Sequence, residues 1–143
     1  MQILQPPEWP RPKGYSNGIL ASGTLLFLAG QIGWDGAGRF PSSNLADQVR
    51  QALHNIVEVL AQAHARPEHL VRLTWYVTSR DEYLAEQKGI GQAYRDVLGK
   101  HFPAMSVVQV SALMEREAKV EIEATAVVPS DQRVWPQTGV RRG

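Results

Sequence analysis

The stretch from Lys119 to Val128 constrains this chain most, because Val120, Ile122, Ala124 and Ala126 alternate with Glu121, Glu123, Thr125 and Val127. A period of two sends successive side chains to opposite faces, so the stretch predicts a strand with an apolar face needing cover. The cover is written earlier in the chain. Leu45, Val49, Leu53, Ile56, Leu60 and Ala63 recur at spacings of three and four, which places them on one face of a helix. Asn44 predicts its N-cap, Asp47 suits the first turn, and Pro67 lies just beyond its end.

The same two periods organise the rest. Val71, Leu73, Trp75 and Val77 alternate with Arg72, Thr74, Tyr76 and Thr78, a second two-faced strand. Ser79-Arg-Asp-Glu82 matches a capping box, followed by a helix with Leu84, Gln87, Ile90 or Gly91, Tyr94 and Leu98 inward and Gly99 as its stop. Met105–Val110 predicts another strand. Tyr15–Ala21 and Thr24–Ala29 predict two more, joined as a hairpin at Ser22-Gly23, and Gly33–Gly38 reads as a loop rich in turn residues. Four prolines within residues 1–14 predict an extended arm. The order is β-β-α-β-α-β-β: a single α/β (α+β) domain over 15–129, with two helices on one face of a mixed sheet and a polar, basic tail over 130–143. The sheet's other face then needs a cover, and oligomerisation supplies one.

Composition removes several function classes. The 143 residues suit one domain. A net charge of +1 gives no field to hold nucleic acid or an anionic membrane. The absence of cysteine excludes disulfides, thiolate nucleophiles and cysteine-held metal or iron–sulfur centres. His54, His64, His69 and His101 show no His-Glu-x-x-His arrangement, so no metal site and no cofactor are expected. No run approaches the length of a membrane span, and no apolar leader opens the chain, so a cytoplasmic location is expected.

The carboxylates carry the sharpest chemistry. Glu121 and Glu123 share one face of the last strand with Lys119. A solvated or salt-bridged edge explains them from spacing alone; the alternative is that one faces a cleft and handles a water molecule. Tyr15, read alone, is packing.

Five segments together resemble the RidA/YjgF family: Gly14-Tyr15-Ser16, Phe27–Ile32, Gln48–Asn55, Phe102-Pro-Ala-Met-Ser106 and Lys119–Ala124. The resemblance implies a chorismate-mutase-like fold and a homotrimer with three small-molecule clefts between subunits. It also implies hydrolysis of enamine or imine intermediates such as 2-aminoacrylate. Carried over residue by residue, Tyr15, Gly30, Gln31 and Ser106 line the cleft and Glu121 holds the attacking water. Met105 stands where the family's Pro-Ala-Arg-Ser motif has the arginine that grips the substrate carboxylate. Methionine has neither the charge nor the fork of a guanidinium, and loss of a desolvated ion pair costs roughly 2–5 kcal/mol.

Two readings follow. One is a hydrolase for a larger, cyclic or aromatic-derived enamine or imine that does not need the carboxylate clamp; the other is a non-catalytic trimer that senses or sequesters a metabolite. A ribonuclease acting as translation inhibitor, also attached to the family, fits poorly with the neutral charge. Arg72 is the candidate replacement cation, and Trp34 extends the cleft if its loop reaches it.

Overall fold

The computed structural model describes residues 1–130, so the predicted tail beyond them lies outside the described residues. Ten short elements follow one another: β1 (Gln2–Leu4), β2 (Gly18–Leu20), β3 (Thr24–Ile32), α1 (Leu45–Ala61), a 3₁₀ turn at Pro67–His69, β4 (Leu70–Val77), α2 (Arg80–Ala85), α3 (Gln87–Leu98), β5 (Ala104–Gln109) and β6 (Val120–Val128). Four strands form the main sheet in the order β3-β6-β4-β5. β6 runs antiparallel to both neighbours, and β4 and β5 run parallel, joined by α2 and α3. The expected mixed α+β architecture is therefore present.

The alternation on β6 does what its period requires. Val120, Ile122, Ala124 and Ala126 are buried with Leu73, Trp75 and Val77 of β4 beneath the helices. Leu45, Val49, Leu53, Ile56 and Leu60 of α1 are at most 1% exposed, and each large apolar side chain so buried contributes about 1.5–3 kcal/mol. Asn44 caps α1 by accepting from Asp47 N at 3.0 Å. Ser79 caps α2 by accepting from Glu82 N at 3.1 Å. The capping box closes only halfway, because the Glu82 carboxylate is drawn 2.8 Å from Lys119 Nζ. That ion pair also takes Lys119 away from the two glutamates beside which its spacing had placed it.

Three expectations need correction. The hairpin of Tyr15–Ala21 with Thr24–Ala29 does not form: β2 is confined to Gly18–Leu20 and pairs with β1, inside the Pro-rich arm. The prolines begin at Pro6, so Gln2–Leu4 keeps every N–H it needs to pair. Gly23 turns the chain at φ +148° because a Cβ there would lie 2.2 Å from Val128 O. The single helix expected after Ser79 is broken at Glu86, whose φ of −105° and ψ of 16° leave the helical region between α2 and α3.

The other face of the sheet is open. Leu25 and Phe27 on β3 are 57% and 77% exposed, beside Arg72 and Thr74 of β4 and Glu123 and Thr125 of β6. An apolar pair so exposed on a sheet face marks a surface suited to association.

Candidate functional site

The strand register separates the residues singled out by sequence into two groups. Leu73 pairs with Met105 and Trp75 with Val107, so Met105 shares the covered face of the sheet with the core. Glu121 shares the opposite, open face with Glu123 and Thr125, by the alternation of β6. One chain therefore holds Met105 and Glu121 on opposite faces of its sheet.

The open-face group is built by an irregularity. Leu28 pairs with Ala124 but Gln31 pairs with Ile122, so β3 carries one extra residue at Ala29–Gly30. Such a bulge bends a strand and re-aims its side chains. Here it presses Gly30 against Glu121: a Cβ at Gly30 would lie 2.7 Å from both Cγ and Cδ of the carboxylate side chain. Glycine is the residue that leaves this space for Glu121. Tyr76, paired with Glu121 across the strands, donates its hydroxyl to Glu123 Oε1 at 2.9 Å. That hydrogen bond, with the two neighbouring carboxylates, raises the tyrosine pKa above its usual value. Gln31 donates to Ala29 O at 3.1 Å and lines a hollow with Trp34 and Asn55. Asn55 Nδ2 ties that loop down by donating to Ile32 O and Trp34 O, and Trp34 leans on Phe40.

The second group lies between α3 and β5. Ser16 donates its hydroxyl to Phe102 O at 2.5 Å and its N–H to Pro103 O at 3.0 Å. These bonds fasten the Gly14-Tyr15-Ser16 segment alongside the start of β5. Tyr15 and Met105 thereby line one pocket of about 580 Å³, with Trp75, Tyr83, Tyr94 and Phe102 as aromatic walls. Tyr94 and Phe102 stack at 5.3 Å between ring centroids. Burial holds the Tyr94 phenol far above the ordinary tyrosine pKa, and its hydroxyl donates to His101 O at 2.5 Å. Ser106 lies one residue on from Met105, opposite Thr74 and on the open face.

Two side chains of this pocket were not singled out by sequence. Trp75 is 2% exposed, and its Nε1 has no hydrogen-bond partner among the described residues. A buried donor left unpaired costs about 1–3 kcal/mol. Arg95 joins Lys13 in lining the pocket. Arg95 carried no signal of its own among the polar residues of its helix. Trp75 gave none either, because its alternation reads the same whether or not the ring nitrogen finds a partner. Arg72, the expected replacement cation, lies on the open face instead, in a hollow with Phe27 and Glu123. Among the described residues no group of three or more His, Asp or Glu side chains is placed to hold a metal ion.

Fold and site define a small mixed-sheet protein with an aromatic pocket at one sheet edge and a carboxylate beside a bulge near the other. Comparison with known proteins identifies the class. The family model of endoribonuclease L-PSP matches residues 9–128, and the chain belongs to this family, that of the RidA/YjgF proteins. It is 31% identical to a RutC family protein of Synechocystis over 132 residues, covering 91% of this chain and 98% of the relative. It is 30% identical to the human 2-iminobutanoate/2-iminopropanoate deaminase, covering 79% of each chain. Among solved structures, a Rid family protein of unknown function from Yersinia pestis, YyfB, superimposes with a TM-score of 0.77 at 33% identity, covering 89% of this chain and 98% of that one. No helix among the described residues is long and apolar enough to cross a membrane.

Proposed function

We propose that three copies of this chain assemble with their edge strands together and hydrolyse an enamine or imine metabolite, other than 2-aminoacrylate, in clefts shared between neighbours. One observation carries the reading: Tyr15 with Met105 and Gly30 with Glu121 lie on opposite faces of one sheet, near its two edges. A cleft containing both needs two copies, the β5 edge of one facing the β3 edge of the next. The exposed Leu25 and Phe27 give the assembly its apolar contact. The relative named for 2-iminobutanoate and 2-iminopropanoate deamination supports the reaction class.

In this reading Glu121 holds a water molecule and takes its proton as the oxygen adds to the carbon of the C=N bond. That proton passes to nitrogen to give the carbinolamine. The hydroxyl proton then follows it to nitrogen as the carbon–nitrogen bond breaks and the carbonyl forms, releasing ammonia from a C=NH imine, or freeing a tethered amine where the nitrogen lies in a ring. Gly30, Gln31 and Ser106 line the approach to that water, and Tyr15 and Met105 hold the body of the substrate. The pocket beside Met105 is walled by aromatic rings, which favours a large unsaturated substrate over a two- or three-carbon imine.

The test generates 2-aminoacrylate with a serine dehydratase and follows its loss, alongside cyclic and aromatic-derived imines. The proposal expects turnover of a larger imine, abolished by Glu121→Gln with ligand binding retained within a few-fold, and no efficient turnover of 2-aminoacrylate. A ligand bound by the wild type without turnover would favour a metabolite-sequestering trimer, and rapid turnover of 2-aminoacrylate would defeat the assigned role of Met105.

A further inference from the structure

Met105 brings no charge to the pocket, but the helix above does. Arg95 and Gly91 both line the pocket between α3 and β5. Arg95 Nη1 lies 3.3 Å from where a Cβ on Gly91 would stand. The missing side chain at Gly91 lets the guanidinium fold back across the helix to the pocket's rim. Its ties are loose: it meets Gln92 Oε1 at 3.4 Å, a long bond that leaves other donors for a ligand. Lys13 adds a second positive charge to the lining.

Trp75, also in the lining of this pocket, carries the complementary demand. Trp75 Nε1 is buried and without a partner among the described residues, and an indole N–H donates and never accepts. Met105 is its diagonal neighbour on the same sheet face, and a thioether side chain is flexible enough to adjust to a ligand. Tyr83, Tyr94 and Phe102 line the same pocket.

We propose that this pocket selects a planar unsaturated carboxylate, with Arg95 gripping the carboxylate at the rim and Trp75 Nε1 donating to an acceptor at the ligand's far end. This rests on the imine-hydrolase reading for the site's chemistry and adds the class of substrate: an aromatic or cyclic imine long enough to span from α3 to β4. A small imine cannot reach both ends, so size selection follows from moving the cation off β5 and onto α3.

The experiment measures binding of benzoate and of isonicotinate (4-pyridinecarboxylate) to the full chain by calorimetry. Isonicotinate carries an acceptor opposite its carboxylate; benzoate does not. The expected result is tighter binding of isonicotinate. Arg95→Gln weakens both probes about two- to fivefold, the range for a charge-assisted pair at an exposed rim. Trp75→Phe removes the advantage of isonicotinate and leaves benzoate nearly unchanged. The wild-type difference between the two probes stands on its own should the Trp75 variant misfold. Equal binding of the probes by the wild type, unchanged binding by Arg95→Gln, or a loss appearing in Arg72→Gln instead would overturn the proposal. Unchanged probe binding by Arg95→Gln with turnover still dependent on Glu121 sinks this inference alone; the expected probe behaviour with turnover independent of Glu121 sinks the hydrolase reading alone.

Discussion

The two halves of the candidate site are built in opposite ways. On the open face, Gly30 stands so close to Glu121 that any Cβ would collide with the carboxylate side chain. A β-bulge fixes that approach, so little can change there without displacing the glutamate. Beneath α3, the walls are Tyr15, Tyr83, Tyr94, Phe102 and Met105, large side chains around an open volume. Such a wall accepts volume-conserving exchanges of shape at modest cost. Under the proposed function, the contrast teaches that reaction and recognition are housed separately: a carboxylate under tight steric control, and a pocket free to take a different substrate.

Adding a cation at residue 105 itself is the strongest way to break that separation. Met105→Arg should create measurable deaminase activity toward small carboxylate imines, because the Glu121 half is intact. Met105 is packed against the core, with Arg95 and Lys13 lining the same pocket, so an added guanidinium should cost roughly 1–3 kcal/mol and lower Tm. Pyruvate or benzoate should return part of that loss, since a ligand bound only to the folded state raises Tm by mass action. Melting curves of both chains with and without these carboxylates read it directly. A folded variant that gains neither activity nor carboxylate-dependent stability would place residue 105 outside the ligand cleft.

A smaller effect sharpens the pocket half itself. Tyr94 has its folded-state pKa raised by burial above the usual value of 10.0. Its neutral form is therefore the one the fold keeps. The stability it contributes is fully present below pH about 10 and is lost as pH rises through the folded-state value. Tyr94→Phe should flatten that alkaline decline of Tm. Near neutral pH it should cost about 1 kcal/mol, from the hydrogen bond withdrawn from His101 O. An alkaline decline unchanged by the substitution would mean that another group governs it.

What the sequence disclosed was what local periodicity can carry. The stripe from Leu45 to Leu60, the cap at Asn44 and the alternation of Val120 to Ala126 each depend on neighbours within a turn or a strand, and each is present. The β1–β2 pairing was hidden, since Gln2–Leu4 shows no alternation and its partner could not be told from a neighbour of β3. The extra residue at Ala29–Gly30 was invisible for the same reason: a bulge is a relation between β3 and β6, not a property of either. The family resemblance supplied Tyr15, Gly30, Gln31, Met105, Ser106 and Glu121 as a set, but only the strand register shows that one chain holds Met105 and Glu121 on opposite faces. Arg95 and Trp75 emerged from packing, where α3 crosses β4 and β5.

The central claim is that one working cleft is made by two copies of the chain, and cross-linking between differently labelled copies tests it most directly. The chain has no cysteine, so single thiols can be placed without competition. Gln31→Cys chains mixed with Met105→Cys chains, dissociated and reassembled together, should couple to each other through a short bis-maleimide and give a covalent dimer of mixed labels. Uncross-linked material should run in light scattering at three times the chain mass. A chain that stays monomeric at micromolar concentration, or a trimer in which the two thiols never couple between copies, would contradict the account.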